Sequence, residues 1–226
     1  MSEENVHAFD AAAREAVYHA IHTRRDSREF LTGPLPEGAL ERILETAHAA
    51  PSVGYMQPWR LIRITAPELR QRLIELVEAE RRATAAALPS RAAELLELKI
   101  HGLASCAEVI VVALMDQCEK HIFGKRLLPE MALASAACAI QNMWLAARAE
   151  GIGLGWVSFF EPHAVAQLCA MPEGAKPVAI LCLGRVAEFP ARPVLETLGW
   201  GRRLPLAEVI FENQWPADAR PTPTAY

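Results

Sequence analysis

The sequence predicts an α+β fold, and three observations carry that expectation. Helix-like and strand-like stretches alternate without the regular βαβα cycle of a doubly wound sheet. Two runs, Glu108 to Met115 (EVIVVALM) and Pro177 to Val186 (PVAILCLGRV), read as short buried strands. Between them lies Met131 to Glu150 (MALASAACAIQNMWLAARAE), rich in Ala, Leu, Met and Cys and free of internal Gly or Pro. As a helix it would span roughly 30 Å. Its apolar residues cover nearly the whole circumference until Arg148 and Glu150. A helix apolar all round is buried on all sides, which predicts a central helix shared with a second subunit. Ser135, Gln141 and Asn142 interrupt the run and no second such stretch exists, which argues against a membrane span.

The remaining elements follow in order. Ala11 to His22 mixes apolar and polar residues at helical spacing and runs into RRDSREF. Gly33-Pro34-Leu35-Pro36 breaks the chain. Pro36 to Ala50 predicts a second helix with Leu40, Ile43, Leu44 and Ala47 on one face. The loop SVGYMQP follows Pro51; Gln57, preceding a proline, is expected to be extended. WRLIRIT then alternates as a strand does. Pro67 opens a charged excursion to Lys99, read as two helices broken near Leu88-Pro89-Ser90. Its many opposite charges four apart suit a solvated surface. An excursion of that kind between two strands is expected to cap a site. The segment to Pro129 reads as a loop. After the central helix come a strand from Gly153 to Phe160 and a short helix from Pro162 to Cys169.

Composition narrows the function classes. The chain of 226 residues suits a single domain, expected over residues 1–215, with a Pro-rich disordered tail at 216–226. Hydrophobic residues make up 52%, slightly high for a monomer of this size and so a hint of oligomerisation. A net charge of −4 and a pI near 6.0 give no electrostatic basis for binding nucleic acid or an anionic membrane. The opening MSEENVHAFD is polar and acidic, without the apolar segment of a signal peptide. Five scattered cysteines (Cys106, Cys118, Cys138, Cys169, Cys182) without a CxxC fit a reducing compartment, so a cytoplasmic location is expected.

Four stretches bear on chemistry. Gly151, Gly153 and Gly155 resemble a dinucleotide fingerprint in spacing but follow a helix and open a strand, the reverse of the order that motif requires. Ser158 places a hydroxyl near the end of that strand, where a serine satisfied by backbone is an equal alternative. RRDSR packs three arginines into five residues of an otherwise acidic protein. Guanidinium forks suit phosphate, and Arg24 and Arg28 face the same side if the preceding helix continues. Asp26 could simply neutralise them, and a solvated charged turn is the plain alternative. PSVGYMQPW offers a hydroxyl (Ser52), a permissive backbone (Gly54) and an amide (Gln57), material that can hold a flat heteroaromatic ligand. It could equally be a helix-to-strand turn with Trp59 in the core. His19 and His22 lie three apart but have no further ligand at metal spacing, so no metal site is expected.

RRDSREF, APSVGYMQPW, CAIQNMWLAARAEGIGLGWVSFF, LCLGRV and GWGRRLPL together resemble the flavin-dependent nitroreductase superfamily. More narrowly they resemble the 5,6-dimethylbenzimidazole synthase family. Asp26, MQPW and GWVS point to the narrower family; Ser27 departs from it, standing where an aliphatic residue is expected. The resemblance implies a nitroreductase-like three-layer sandwich with a central mixed or antiparallel sheet, assembled as a homodimer around long buried helices. It implies reduced FMN as substrate, fragmented with molecular oxygen to 5,6-dimethylbenzimidazole, the lower ligand of vitamin B12, and a sugar phosphate. A flavin reductase would supply the reduced FMN. Carried over, Arg24, Arg25 and Arg28 would hold the phosphate and ribityl chain, with Ser27 among the flavin-binding residues. Ser52 and Gly54 would contact the ring, Asp26 and Ser158 would be the chemical pair, and Arg203 would be a further phosphate contact. The excursion at about 67–104 would be a lid. The rivals are an NAD(P)H-dependent FMN nitroreductase and a non-catalytic FMN-binding protein.

Overall fold

The computed structural model describes residues 6–97, 102–115, 128 and 130–216. Cys118 and residues 217–226 of the expected tail lie outside the described residues. Two compact units divide the chain, one ending at Phe189 and the other beginning at Pro190.

The first unit is built on a sheet of order β1-β2-β4-β3, formed by Trp59–Arg63, Glu108–Met115, Ala175–Arg185 and Ile152–Val157 respectively. Every pairing within it is antiparallel. One parallel bridge, Asp26 to Leu154, extends the β3 edge. The apolar runs of β2 and β4 are explained by burial on both faces. Ile110, Val112, Leu181 and Leu183 enter one core, while Val109, Val111, Ile180 and Cys182 enter the other. On the first face pack α2 (Ala39–His48) and α6 (Met131–Ala149); on the second pack α3 (Pro67–Ala87), α5 (Gly102–Ser105) and α7 (Pro162–Leu168). Helices on both faces of an antiparallel sheet give the expected α+β three-layer sandwich.

Three local expectations change. The charged excursion is not merely a solvated surface. Leu73, Val77, Arg81 and Ala85 form a buried stripe along α3 at four-residue spacing. Arg81 finds partners there: Nη2 meets Glu78 Oε2 at 2.7 Å and Nη1 donates to the Leu96 carbonyl at 2.8 Å. That second bond ties α3 to α4 (Ala92–Glu97), across the expected break at Leu88 to Ser90. Gln57 is left-handed rather than extended, with φ +48°. Its N–H donates to Ser52 Oγ and its carbonyl accepts from Arg60 Nη1, so side-chain bonds override the preference of a residue before proline. Finally, α6 is not buried all round within one chain. Ala132, Ala136, Ala139, Ile140, Met143 and Ala147 face the core, but Leu133 remains 45% exposed and Ala134, Cys138 and Gln141 are also exposed.

The second unit is described to Pro216 and holds a single short helix, α8 (Val194–Thr197), and a 3-10 turn at Leu206–Glu208. None of its described residues is buried.

Candidate active site

Asp10 caps α1 (Ala11–Thr23) by accepting the Ala13 N–H, and the helix stops at Thr23. Arg24 is already non-helical, with ψ 136°. The helix therefore does not carry Arg24 and Arg28 onto one face by a four-residue turn. Instead residues 26–28 lie alongside the β3 edge. Ser27 N–H donates to the Leu154 carbonyl at 3.0 Å, and Leu31 N–H to the Arg185 carbonyl at 2.8 Å. This approach explains the glycines before Trp156. A Cβ at residue 155 would come within 2.1 Å of the Ser27 carbonyl oxygen, and one at 153 would meet the Ser27 side chain. Gly153 and Gly155 serve chain packing, whereas Gly151 sits in open space at φ +72° in the turn that ends α6.

Asp26 is the fixed point of this edge. Oδ1 accepts the Trp156 N–H at 2.9 Å, Oδ2 meets Arg28 Nη2 at 2.6 Å, and the same Arg28 nitrogen donates to the Trp156 carbonyl at 2.7 Å. One carboxylate and one guanidinium thus close on both backbone groups of a single strand residue. Burial pushes the Asp26 carboxyl above the usual aspartate range. The charge of Arg28 and the Trp156 N–H pull it back without cancelling the desolvation. The side chain keeps 38% exposure, so an outer edge still meets solvent.

Arg24 and Arg25 are half-buried beside it. Arg25 Nη1 donates to the carbonyls of His22 and Arg24, and the Arg24 guanidinium lies over the Trp144 ring at 4.6 Å. Ser158 is exposed just beyond β3, two residues from the Trp156 backbone that holds Asp26. Alternate residues of an extended chain lie about 7 Å apart. No side-chain bond engages its hydroxyl among the described residues. Ser27 takes its place in the edge through its backbone and its contact with Gly153.

The loop after α2 is strained. Gly54, Tyr55 and Gln57 all have positive φ, of 54°, 55° and 48°. For Tyr55, 83% exposed, nothing in packing compensates that conformation; backbone strain of this kind concentrates at ligand sites. Ser52 Oγ holds the loop from within, and Ser135 on α6 holds it from without by accepting the Val53 N–H at 3.1 Å. Trp59 is core, 5% exposed. Arg203 belongs to the second unit and is exposed. Sequence reasoning missed Ser135, Trp144 and the backbone of Trp156. Of these only Trp144 carried a signal, an indole N–H on an apolar helix that needs a partner.

Comparison with known proteins gives the family. The nitroreductase family profile matches residues 21–185. A 5,6-dimethylbenzimidazole synthase of Rhodobacter capsulatus is 36% identical over 200 residues, covering 87% of this chain and 96% of the relative. One from Rhodospirillum rubrum is 35% identical over 199 residues, covering 87% and 94%. The chain belongs to the 5,6-dimethylbenzimidazole synthase branch of the nitroreductase family. Among solved structures, nitroreductase A from Vibrio parahaemolyticus superposes with a TM-score of 0.68 at 21% identity, over 92% of this chain and 78% of that one. A nitroreductase family protein from Clostridium difficile gives 0.61 at 19%, over 87% and 98%. At such identities the likeness speaks for the shared fold alone.

Among the described residues no helix is long and apolar enough to cross a membrane, and no three His, Cys, Asp or Glu side chains gather as a metal site.

Proposed function

We propose that this chain is an oxidoreductase that fragments reduced FMN with molecular oxygen, releasing 5,6-dimethylbenzimidazole and a sugar phosphate. The observation that carries the reading is Asp26, a carboxylate set among three arginines and locked onto the β3 edge by the Trp156 N–H. The donor set fits FMN. Three guanidiniums within five residues outnumber the one carboxylate among them by two charges, which matches a phosphate dianion. The exposed, strained backbone at 54–57 suits the flat ring.

Bound reduced FMN supplies the electrons and the carbon framework. Arg24 and Arg25 would hold the phosphate, and Ser52 and Gly54 would border the ring. Arg28 spends one nitrogen on Asp26 and the Trp156 carbonyl, so its part would be to orient that carboxylate, with its other nitrogens left for the ribityl chain. Asp26, raised above the usual aspartate range, is a stronger proton acceptor than a solvated aspartate and would take protons from the ribityl chain. The Ser158 hydroxyl would donate at the ring edge. Since α3 is anchored in the core, the cover that keeps water out is assigned to the stretch beyond Leu88.

A homodimer would complete the molecule. The exposed side of α6 at Leu133, and Val17, Tyr18 and Ile21 on α1, which has no buried residue, support that assembly. A cytoplasmic flavin reductase would deliver the reduced substrate.

The test is an aerobic reaction with chemically reduced FMN, followed by chromatography. Dimethylbenzimidazole in the product supports the reading. Oxidation of NADPH by the protein alone favours a nitroreductase, and recovery of intact FMN favours a carrier; either removes it. Asp26→Asn is expected to lower product formation at least about a hundredfold while FMN binding persists.

A further inference from the structure

We infer that Trp144 is a positioning residue for the phosphate end of the flavin, acting through Arg24 and Arg25; this rests on the arginine cradle proposed above. Trp144 is half-buried on α6 and engages the segment twice. Its ring lies under the Arg24 guanidinium, 4.6 Å from Cζ to centroid, and its indole N–H donates to the Arg25 carbonyl at 3.0 Å. A cation–π contact restrains where the guanidinium lies, and a fork placed in advance loses less when it binds a phosphate. The bond to the Arg25 carbonyl fixes the peptide that joins Arg25 to Asp26. Phe or Leu would fill the same position in the core without donating, so packing alone does not call for an indole. One turn along α6, Arg148 Nε donates to Thr23 Oγ1 at 2.9 Å, and the Thr23 hydroxyl donates to the His19 carbonyl at 2.6 Å. The corner where α1 becomes the arginine segment is thus held from α6 at three successive residues.

The two flavins that differ only in the phosphate, FMN and riboflavin, isolate this role. Their dissociation constants, measured by flavin fluorescence on the full chain, give a ratio that reports the phosphate alone. Wild type is expected to prefer FMN strongly. Trp144→Leu should cut that preference about tenfold, the scale of a desolvated cation–π contact, and leave the riboflavin constant unchanged. Trp144→Phe, which keeps a ring face but loses the N–H, should recover only part of it. An unchanged ratio in Trp144→Leu, or equal losses for both flavins in both variants, overturns the inference. A wild type that binds the two flavins equally overturns the arginine cradle itself, a separable failure.

Discussion

Asp26 combines two demands that pull in opposite directions. Desolvation raises its proton affinity, while Arg28 and the Trp156 N–H favour the charged form, and desolvation is the larger. For an acid whose folded value is raised, the favourable contribution to stability is complete below the unfolded value and is lost as pH rises through the folded one. The ionised carboxylate therefore costs the fold stability at neutral pH. In the flavin-free protein, Asp26→Asn is expected to be at least as stable as wild type at pH 7, with the difference closing as the pH falls below the usual aspartate range. Denaturant midpoints from about pH 2.5 to 8 measure this; a variant that loses ground as pH rises would contradict the assigned direction. Placing a residue where it weakens the fold is intelligible when its charge is used in chemistry.

At the scale of elements, the site depends on how closely a segment without helix or long strand can approach β3. Gly155 permits that approach, since any side chain there would collide with the Ser27 carbonyl. Gly155→Ala should cost about 1–3 kcal/mol of stability, as overpacking does, and weaken FMN binding by pushing the arginines off the edge. A denaturation curve and a flavin titration of the same sample test both. The excursion after β1 depends on Arg81, 9% exposed, which joins α3 to α4 through the Leu96 carbonyl. Arg81→Ala should destabilise by about 1–3 kcal/mol. That is below the cost of breaking a fully buried pair, because Glu78 keeps a solvent-facing edge. Protease cleavage confined to the stretch after Leu88 would be the local sign of it.

Over the whole molecule, the exposed side of α6 gives the sharpest expectation. Leu133→Glu on that face should shift the molecular mass measured by sedimentation from dimer to monomer and leave secondary structure intact. A wild type that is already monomeric would refute the proposed assembly. The apolar circumference of α6 was legible in the sequence because composition alone reveals it. Which half of it meets its own core was not, because that depends on where α2 and the sheet come to lie.

Residue chemistry determined a good deal unaided. The runs EVIVVALM and PVAILCLGRV read as buried strands, which β2 and β4 are. The breaks at Pro34, Pro36 and Pro89 followed from missing donors and fixed φ, and RRDSR stood out as a dense cationic patch in an acidic chain. Tertiary structure decided the rest. It ended α1 at Thr23, laid Asp26 and Arg28 against one strand residue, and turned Gln57 left-handed against its local preference. It also brought Trp144, more than a hundred positions away, under Arg24. Local sequence fixes the propensity and charge of each stretch. Close approach, desolvation and hydrogen-bond partners are properties of segments distant in the chain, and they exist only once the sheet has assembled.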